Sequence, residues 1–187
     1  IMNIIKSRRS IRSYLDKPVS KEIIDELIEA AKWAPSGMNE QPWGFIVVQD
    51  KLLIKELSDR SIPYISKAIE ENPKFIRYKK RMAVKDFSIF YHAPCVIIIL
   101  GRADAFSYQN ACAMAAENLM LTAWSMGIGS CWVGMMSFLD KDEWFRKKFE
   151  VPDNYAIVAP IALGYFENKD IPVIERRAPG ILKIFRG

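Results

Sequence analysis

Histidine is almost missing from this chain: His92 is the only one in 187 residues. A metal centre would have to rest on carboxylates alone, and no acidic cluster offers a set of them. The same scarcity excludes a Ser/His/Asp nucleophile. The lone imidazole sits just before a strand, in His92-Ala93-Pro94, where a structural role is the simpler reading. Cysteine is confined to Cys95, Cys112 and Cys131, each in an apolar stretch and none in a CxxC pair. That spacing excludes a disulfide framework or an iron–sulfur cluster and suits buried free thiols in a reducing compartment. Long hydrophobic runs are missing too. The longest candidate, 106–126, is broken by Gln109, Asn110, Glu117 and Asn118, so it falls short of the roughly 18 apolar residues of a membrane span. The basic N-terminal stretch has too short an apolar run for a signal peptide. Neither a P-loop nor a GxGxxG dinucleotide fingerprint is present. A cytoplasmic protein without membrane or metal partners is expected.

What is present is apolar material for one domain, residues 2–187, with a substantial core: 50% of residues are hydrophobic and 26% charged. The net charge of +5 would serve a small anion as well as a polymer. Residues 3–14 have a short helical pattern. Ser20 caps a predicted amphipathic helix with Ile23, Ile24, Leu27, Ile28 and Ala31 on one face, stopped by Pro35. A strand is predicted over 44–49, a short helix over 51–60 and a buried strand over 95–100. Residues 106–126 read as a helix that is apolar nearly all round and ended by Gly127. A strand beginning at Ser130, a helix with a capping box at Asp140 and Glu143, and a strand over 155–166 follow, with Pro160 marking a bulge or an edge. The alternation predicts an α+β or α/β mixture. Residues 62–91 read as irregular, and 168–187 as a tail without clear period.

Four constellations could carry chemistry. On a helical turn, Arg8 and Arg12 would share a face with Arg9 and Ser10 beside them, a set that suits a phosphate or a solvated surface. The loop APSGMNEQPW, 34–43, carries Ser36, Asn39 and Gln41, more hydrogen-bonding groups than a turn needs. In GIGSCWVGMM, 127–136, three glycines would let the backbone approach a planar ligand. Arg176 and Arg177 gain meaning only if the tail returns to Arg8. Between 74 and 85 there are six basic residues and no acid, which reads as a solvated face or lid, with nucleic-acid binding the alternative.

RRSIR, APSGMNEQPW, AENLMLTAWSMGIGSCWVG and IALGYFEN, in this order and followed by an arginine-bearing tail, resemble the nitroreductase family of flavoproteins over nearly the whole chain. The resemblance implies an α+β fold with a central, mostly antiparallel sheet flanked by helices, in an interlocked homodimer that holds FMN at its interface. It implies that Arg8, Arg9 and Ser10 lie at the FMN phosphate and ribityl chain, with Arg12 near flavin N1 and O2. Pro35, Ser36, Gly37 and Asn39 would meet the partner's flavin, Trp132, Val133, Gly134 and Met135 the flavin near N5, and Arg176 or Arg177 the phosphate. Gly37 departs from the pattern, since many relatives carry a second serine there. No motif selects among Asn72, Lys74 and Lys79 as a further flavin contact. The implied activity passes a hydride from NADH or NADPH through FMN to a nitroaromatic, quinone or similar small-molecule acceptor. A specialised dehalogenase, ene-reductase or flavin-fragmenting enzyme, or a flavin carrier without turnover, are the alternatives. Residues 62–91 would be the lid that sets substrate choice.

Overall fold

The structure, a computed structural model, describes residues 1–167, 171–172 and 175–186. Asn168 of the IALGYFEN motif lies outside them, as do five further positions of the 168–187 tail. Four strands form one antiparallel sheet: β1 (Trp43–Val48), β2 (Cys95–Arg102), β3 (Gly129–Trp132) and β4 (Tyr155–Gly164), in the order β1-β2-β4-β3. The helices are α1 (Met2–Ser7), α2 (Lys21–Lys32), α3 (Lys51–Glu71), α4 (Arg77–Met82), α5 (Tyr108–Ser125) and α6 (Glu143–Lys148). The expected α+β architecture is present.

The continuous apolar run of β2 is explained by two cores, one on each face of the sheet. Cys95, Ile97 and Ile99 face α2 and α5, packing with Leu27, Ala31, Ala115 and Leu119. Val96, Ile98 and Leu100 face the opposite way, with Ile54, Leu57, Met136 and Phe145. Burying each such side chain contributes roughly 1.5–3 kcal/mol, so an apolar residue is favoured at every position of the strand. In β4 the register jumps from the Ala159–Ile99 pair to the Ile157–Leu100 pair, leaving Val158 without a partner. This bulge turns Ile157 to the α3 side while Ala159 and Ile161 face α5. Pro160 is two residues from it, and its carbonyl accepts from Val133 N at 2.7 Å. Its ring nitrogen faces the point where the chain leaves β3, so little is lost by the missing donor.

Four local expectations are corrected. The N-terminal helix ends at Ser7, and from Arg8 onward the chain is not helical. Arg8 and Arg12 therefore do not share a helical face. The helix expected over 51–60 runs on to Glu71 with Pro63 inside it. Burial of Leu57 and Ile65, and the i,i+4 pairs Lys55–Asp59, Arg60–Glu56 and Lys67–Glu71, outweigh the single backbone bond that proline removes. The strand expected from Ser130 stops at Trp132 and gives way to a 3-10 helix, Gly134–Leu139. The cap of α6 is Asp142, which accepts from Phe145 N at 2.8 Å, whereas Asp140 accepts from Ile157 N at 2.7 Å. The sequence offers two aspartates, and the tie to β4 selects their roles.

Candidate active site

The segment after α1 lies along the outer edge of β3. Ser10 and Ser130 form a parallel bridge, Ile11 N donates to Ser130 O at 2.9 Å, and Leu15 N donates to Tyr165 O at 2.8 Å. Gly129 makes this approach possible: a side chain there would place its first carbon 2.8 Å from Ile11 Cγ1. RRSIR and GSCWVGMM, separated by more than a hundred residues, thus become neighbours. Tyr14 holds the turn by donating its hydroxyl to Ile11 O at 2.8 Å and Ala162 O at 3.3 Å. Burial, with Cys131 and Tyr91 close by, holds this phenol well above its ordinary value despite Arg12, so it remains a donor.

The arginines of the segment differ in their surroundings. Arg8 Nε is buried without a hydrogen-bond partner, and its ion pair with Glu117 is long, at 3.8 Å. A buried guanidinium donor without a hydrogen-bond partner suits an anionic ligand. Arg9 is occupied internally, donating to the carbonyls of Lys6, Arg8 and Pro172. Through Pro172 the tail does return to the N-terminal segment, while Arg176 and Arg177 lie exposed. Ser10 and Arg12 are exposed, and the Arg12 guanidinium stands over the Tyr91 ring, 5.9 Å from its centroid. Of the glycines in 127–136, Gly127 closes α5 at φ +72° and Gly129 accommodates Ile11. Gly134, like Gly127, has nothing within 4 Å of where a side chain would begin, but it has no left-handed backbone to account for it. It lies between Trp132, which is exposed, and Val133 and Met135, which are buried, so backbone is accessible there.

The loop 34–43 is elsewhere, at the β1 end of the sheet. Three strand spacings, about 14 Å, separate β1 from β3, and no hydrogen bond among the described residues joins 35–39 to 8–12. The loop carries backbone strain. Met38, Asn39 and Gln41 all adopt left-handed backbone (φ 52°, 57° and 46°), at a cost of order 1–3 kcal/mol each. Ser36 Oγ accepts from Gln41 N at 3.0 Å, Gln41 Nε2 donates to Asn39 Oδ1 at 3.1 Å, and the Glu40 carboxylate accepts from Phe106 N at 2.7 Å. Pro35 and Asn39 remain exposed. Gly37 is explained by its neighbour: an added carbon would come within 2.9 Å of the Phe106 ring and 3.3 Å of the Phe106 carbonyl. The serine of the family pattern would need that aromatic to move.

Two basic residues of the site escaped the sequence reading. Asn72 caps the turn Pro73–Phe75, and Lys79 is exposed on α4. Neither they nor Lys74 line the cavity beside Arg12, which Arg81 and Lys85 do. Burial pushes the Cys131 thiol up, and Arg12, Arg81 and Arg8 pull it partly back. The placement of Arg81 and Lys85 beside Arg12 depends on the turn after α4, which has no periodic signal. Burial alone pushes Cys95 up to about 12 and Cys112 up to about 11. All three cysteines are buried and free. The folded protein is therefore expected to leave Ellman's reagent unreacted at pH 8, with three equivalents titrating after denaturation. Rapid reaction of even one thiol in the native protein would contradict this packing.

The comparisons with known proteins agree with this geometry. The family model described as Nitroreductase family matches residues 5–165. A protein of Archaeoglobus fulgidus whose name pairs NADH dehydrogenase with NAD(P)H nitroreductase is 33% identical over 171 residues, covering 88% of this chain and 84% of the relative. The crystal structure of a nitroreductase with bound FMN from Bacteroides fragilis superposes with a TM-score of 0.84 at 27% identity, covering 99% of this chain and 98% of that one. An FMN-dependent nitroreductase from Clostridium difficile gives a TM-score of 0.81 at 25% identity, with 98% of each chain covered.

Proposed function

Because the chain belongs to the nitroreductase family, we propose that it is an FMN-dependent NAD(P)H oxidoreductase that reduces a nitroaromatic, quinone or similar acceptor. The observation that carries this reading is the laying of RRSIR against GSCWVG, with Arg8 Nε buried without a hydrogen-bond partner and Gly134 open. These residues fit FMN chemically. Arg8 and Ser10 supply donors for a phosphate and ribityl chain, and a guanidinium pair including Arg176 or Arg177 would offset the cost of desolvating two negative charges. Arg9 would act by holding the tail against this end. Arg12 would put a permanent cation at the pyrimidine edge, and the backbone of Trp132–Met135 would meet the ring system.

Bound FMN supplies hydride acceptance and release at N5. The protein's share is to bind, orient and exclude water. For a nitro acceptor the balance is one nicotinamide oxidised, two electrons and two protons taken up, and a nitroso group and water formed. Neither a protein nucleophile nor a metal has a place in that balance.

The separation of loop 35–39 from Arg8 and Arg12 supports a dimer in which Pro35, Ser36, Gly37 and Asn39 reach the other subunit's flavin. The left-handed backbone of Met38, Asn39 and Gln41 would then be strain held for a ligand outside its own chain. The purified protein should be yellow and dimeric, or take up FMN stoichiometrically, and its flavin absorbance should bleach anaerobically with NADH or NADPH. A colourless protein that gains no flavin absorbance on adding FMN would refute the proposal. Ser36→Ala/Asn39→Ala is expected to weaken FMN binding roughly 30–150-fold, two hydrogen bonds at about 1–1.5 kcal/mol each, read by flavin fluorescence on dilution. Mixing this variant with Arg8→Ala subunits should restore one intact site per mixed dimer. Failure of the mixture to regain tight sites would overturn the cross-subunit assignment.

A further inference from the structure

The cavity beside Arg12 has a charge pattern that a cofactor edge alone does not account for. It encloses about 500 Å³ between the Arg12–Tyr14 segment and residues 81–92, within the range of small-molecule sites. Its charged lining consists of Arg12, Arg81 and Lys85 against one carboxylate, Asp86, with His92 at the same wall. None of these three cations is ion-paired among the described residues, whereas along α2 and α3 Lys21, Lys32, Lys55, Arg60 and Lys67 each have an acid within one turn. Tyr91 links two of the cavity's cations: Arg81 Nη1 donates to its hydroxyl at 3.4 Å while Arg12 stands over its ring. Asp86, Tyr91 and His92, all lining residues, adopt left-handed backbone, so this wall is shaped at a conformational cost.

Unpaired cations in a concave, partly apolar space focus positive potential on its contents. Arg81 and Lys85 are exposed and, among the described residues, without an acid of their own; a neutral occupant would leave both charges unanswered, while a carboxylate would meet the guanidinium fork of Arg81 in bidentate fashion. The Tyr91 and Phe87 rings offer an aromatic occupant a face or edge. We propose that this cavity selects acceptors carrying an anionic group on an aromatic ring, and that Arg81 and Lys85 are the residues that select them. The proposal rests on the reading of the chain as an FMN-dependent reductase, with the reacting group at the flavin and the anionic group towards residue 81.

The test compares the holoenzyme with Arg81→Gln/Lys85→Gln and with Arg81→Lys. For the starting protein, kcat/KM for 4-nitrobenzoate should exceed that for 4-nitrobenzyl alcohol about tenfold at low ionic strength, and the gap should narrow as salt is added. The double glutamine variant should lose that preference, chiefly through KM, with the neutral acceptor changed less than twofold and Arg81→Lys intermediate. Unreactive benzoate provides a readout independent of turnover: by calorimetry it should bind the holoenzyme about tenfold more tightly than the double variant. An unchanged acceptor ratio, or equal benzoate affinity, overturns the proposal. So does loss of FMN from the variant, which would put Arg81 on the cofactor. A change in NADPH over NADH preference instead of acceptor preference would assign the cations to the donor and likewise overturn it. A protein that binds FMN and turns over the neutral acceptor without anionic preference sinks this inference alone. One that neither binds FMN nor is reduced sinks the reading beneath it.

Discussion

Arg12→Ala is expected to give a folded, FMN-binding protein whose flavin is harder to reduce. Arg12 is exposed, and its contact in the described chain is with the Tyr91 ring, so its removal should cost the fold no more than about 1 kcal/mol. Its proposed neighbour is the flavin edge where negative charge gathers on reduction, and a fixed cation there favours the charged product over the neutral start. Losing 1.4–2.8 kcal/mol of that differential interaction would lower the two-electron potential by about 30–60 mV and slow hydride uptake by roughly 10–100-fold. Anaerobic equilibration against a reference dye reads the potential, and stopped-flow mixing with NADH or NADPH reads the rate. Arg12→Lys should recover part of both, because a point charge replaces the fork. If potential and rate were both unchanged in Arg12→Ala, Arg12 would not face the flavin.

The second large effect concerns stability. Ile97 is fully buried, paired to Val47 on β1 and Ile161 on β4, and it belongs to the core that α2 and α5 cover. Ile97→Ala removes three carbons from the middle of the sheet and should cost about 2–5 kcal/mol. For a chain of this size that lowers the melting temperature by roughly 5–20 °C. Val47→Ala, on the same face of the sheet but at an exposed position of edge strand β1, should cost under about 1 kcal/mol. Thermal scans of the FMN-loaded proteins at one ligand concentration would compare them. Equal melting points would mean that the two-faced core is wrongly drawn.

Elements with a strong local signal were legible in the sequence. α2 carries its cap and its apolar stripe within a dozen residues, and Ser20 accepts from Ile23 N as expected. β2 and β4 are recognisable as apolar runs, and Gly127 ends α5. What the sequence hid is what distant contacts decide. The helix expected to end at residue 60 continues through Pro63 as α3 because Ile65 is buried beyond it. Arg8, Arg9 and Arg12 have helical spacing, yet the edge of β3 claims the backbone from Ser10 onward. Arg81 and Lys85 could not be singled out from a run of six basic residues, because their position follows from the turn that leads to Tyr91 rather than from spacing. Loop 34–43 stands out in the sequence as an excess of polar groups, and its distance from Arg8 needed the sheet order.

The strip of chain along β3 has a consequence for handling the protein. A four-residue strand of the composition Gly-Ser-Cys-Trp at a sheet margin is a template for intermolecular pairing when left bare. Ser10 and Ile11 shield it with a bridge and one hydrogen bond, and α1 fastens that shield through the Trp124 indole bond to Ser7 at 2.8 Å. Trimming the first dozen residues would therefore uncover an aggregation-prone margin as well as remove arginines. Loss of solubility in such a truncation would be read more safely as a bared strand than as a lost ligand.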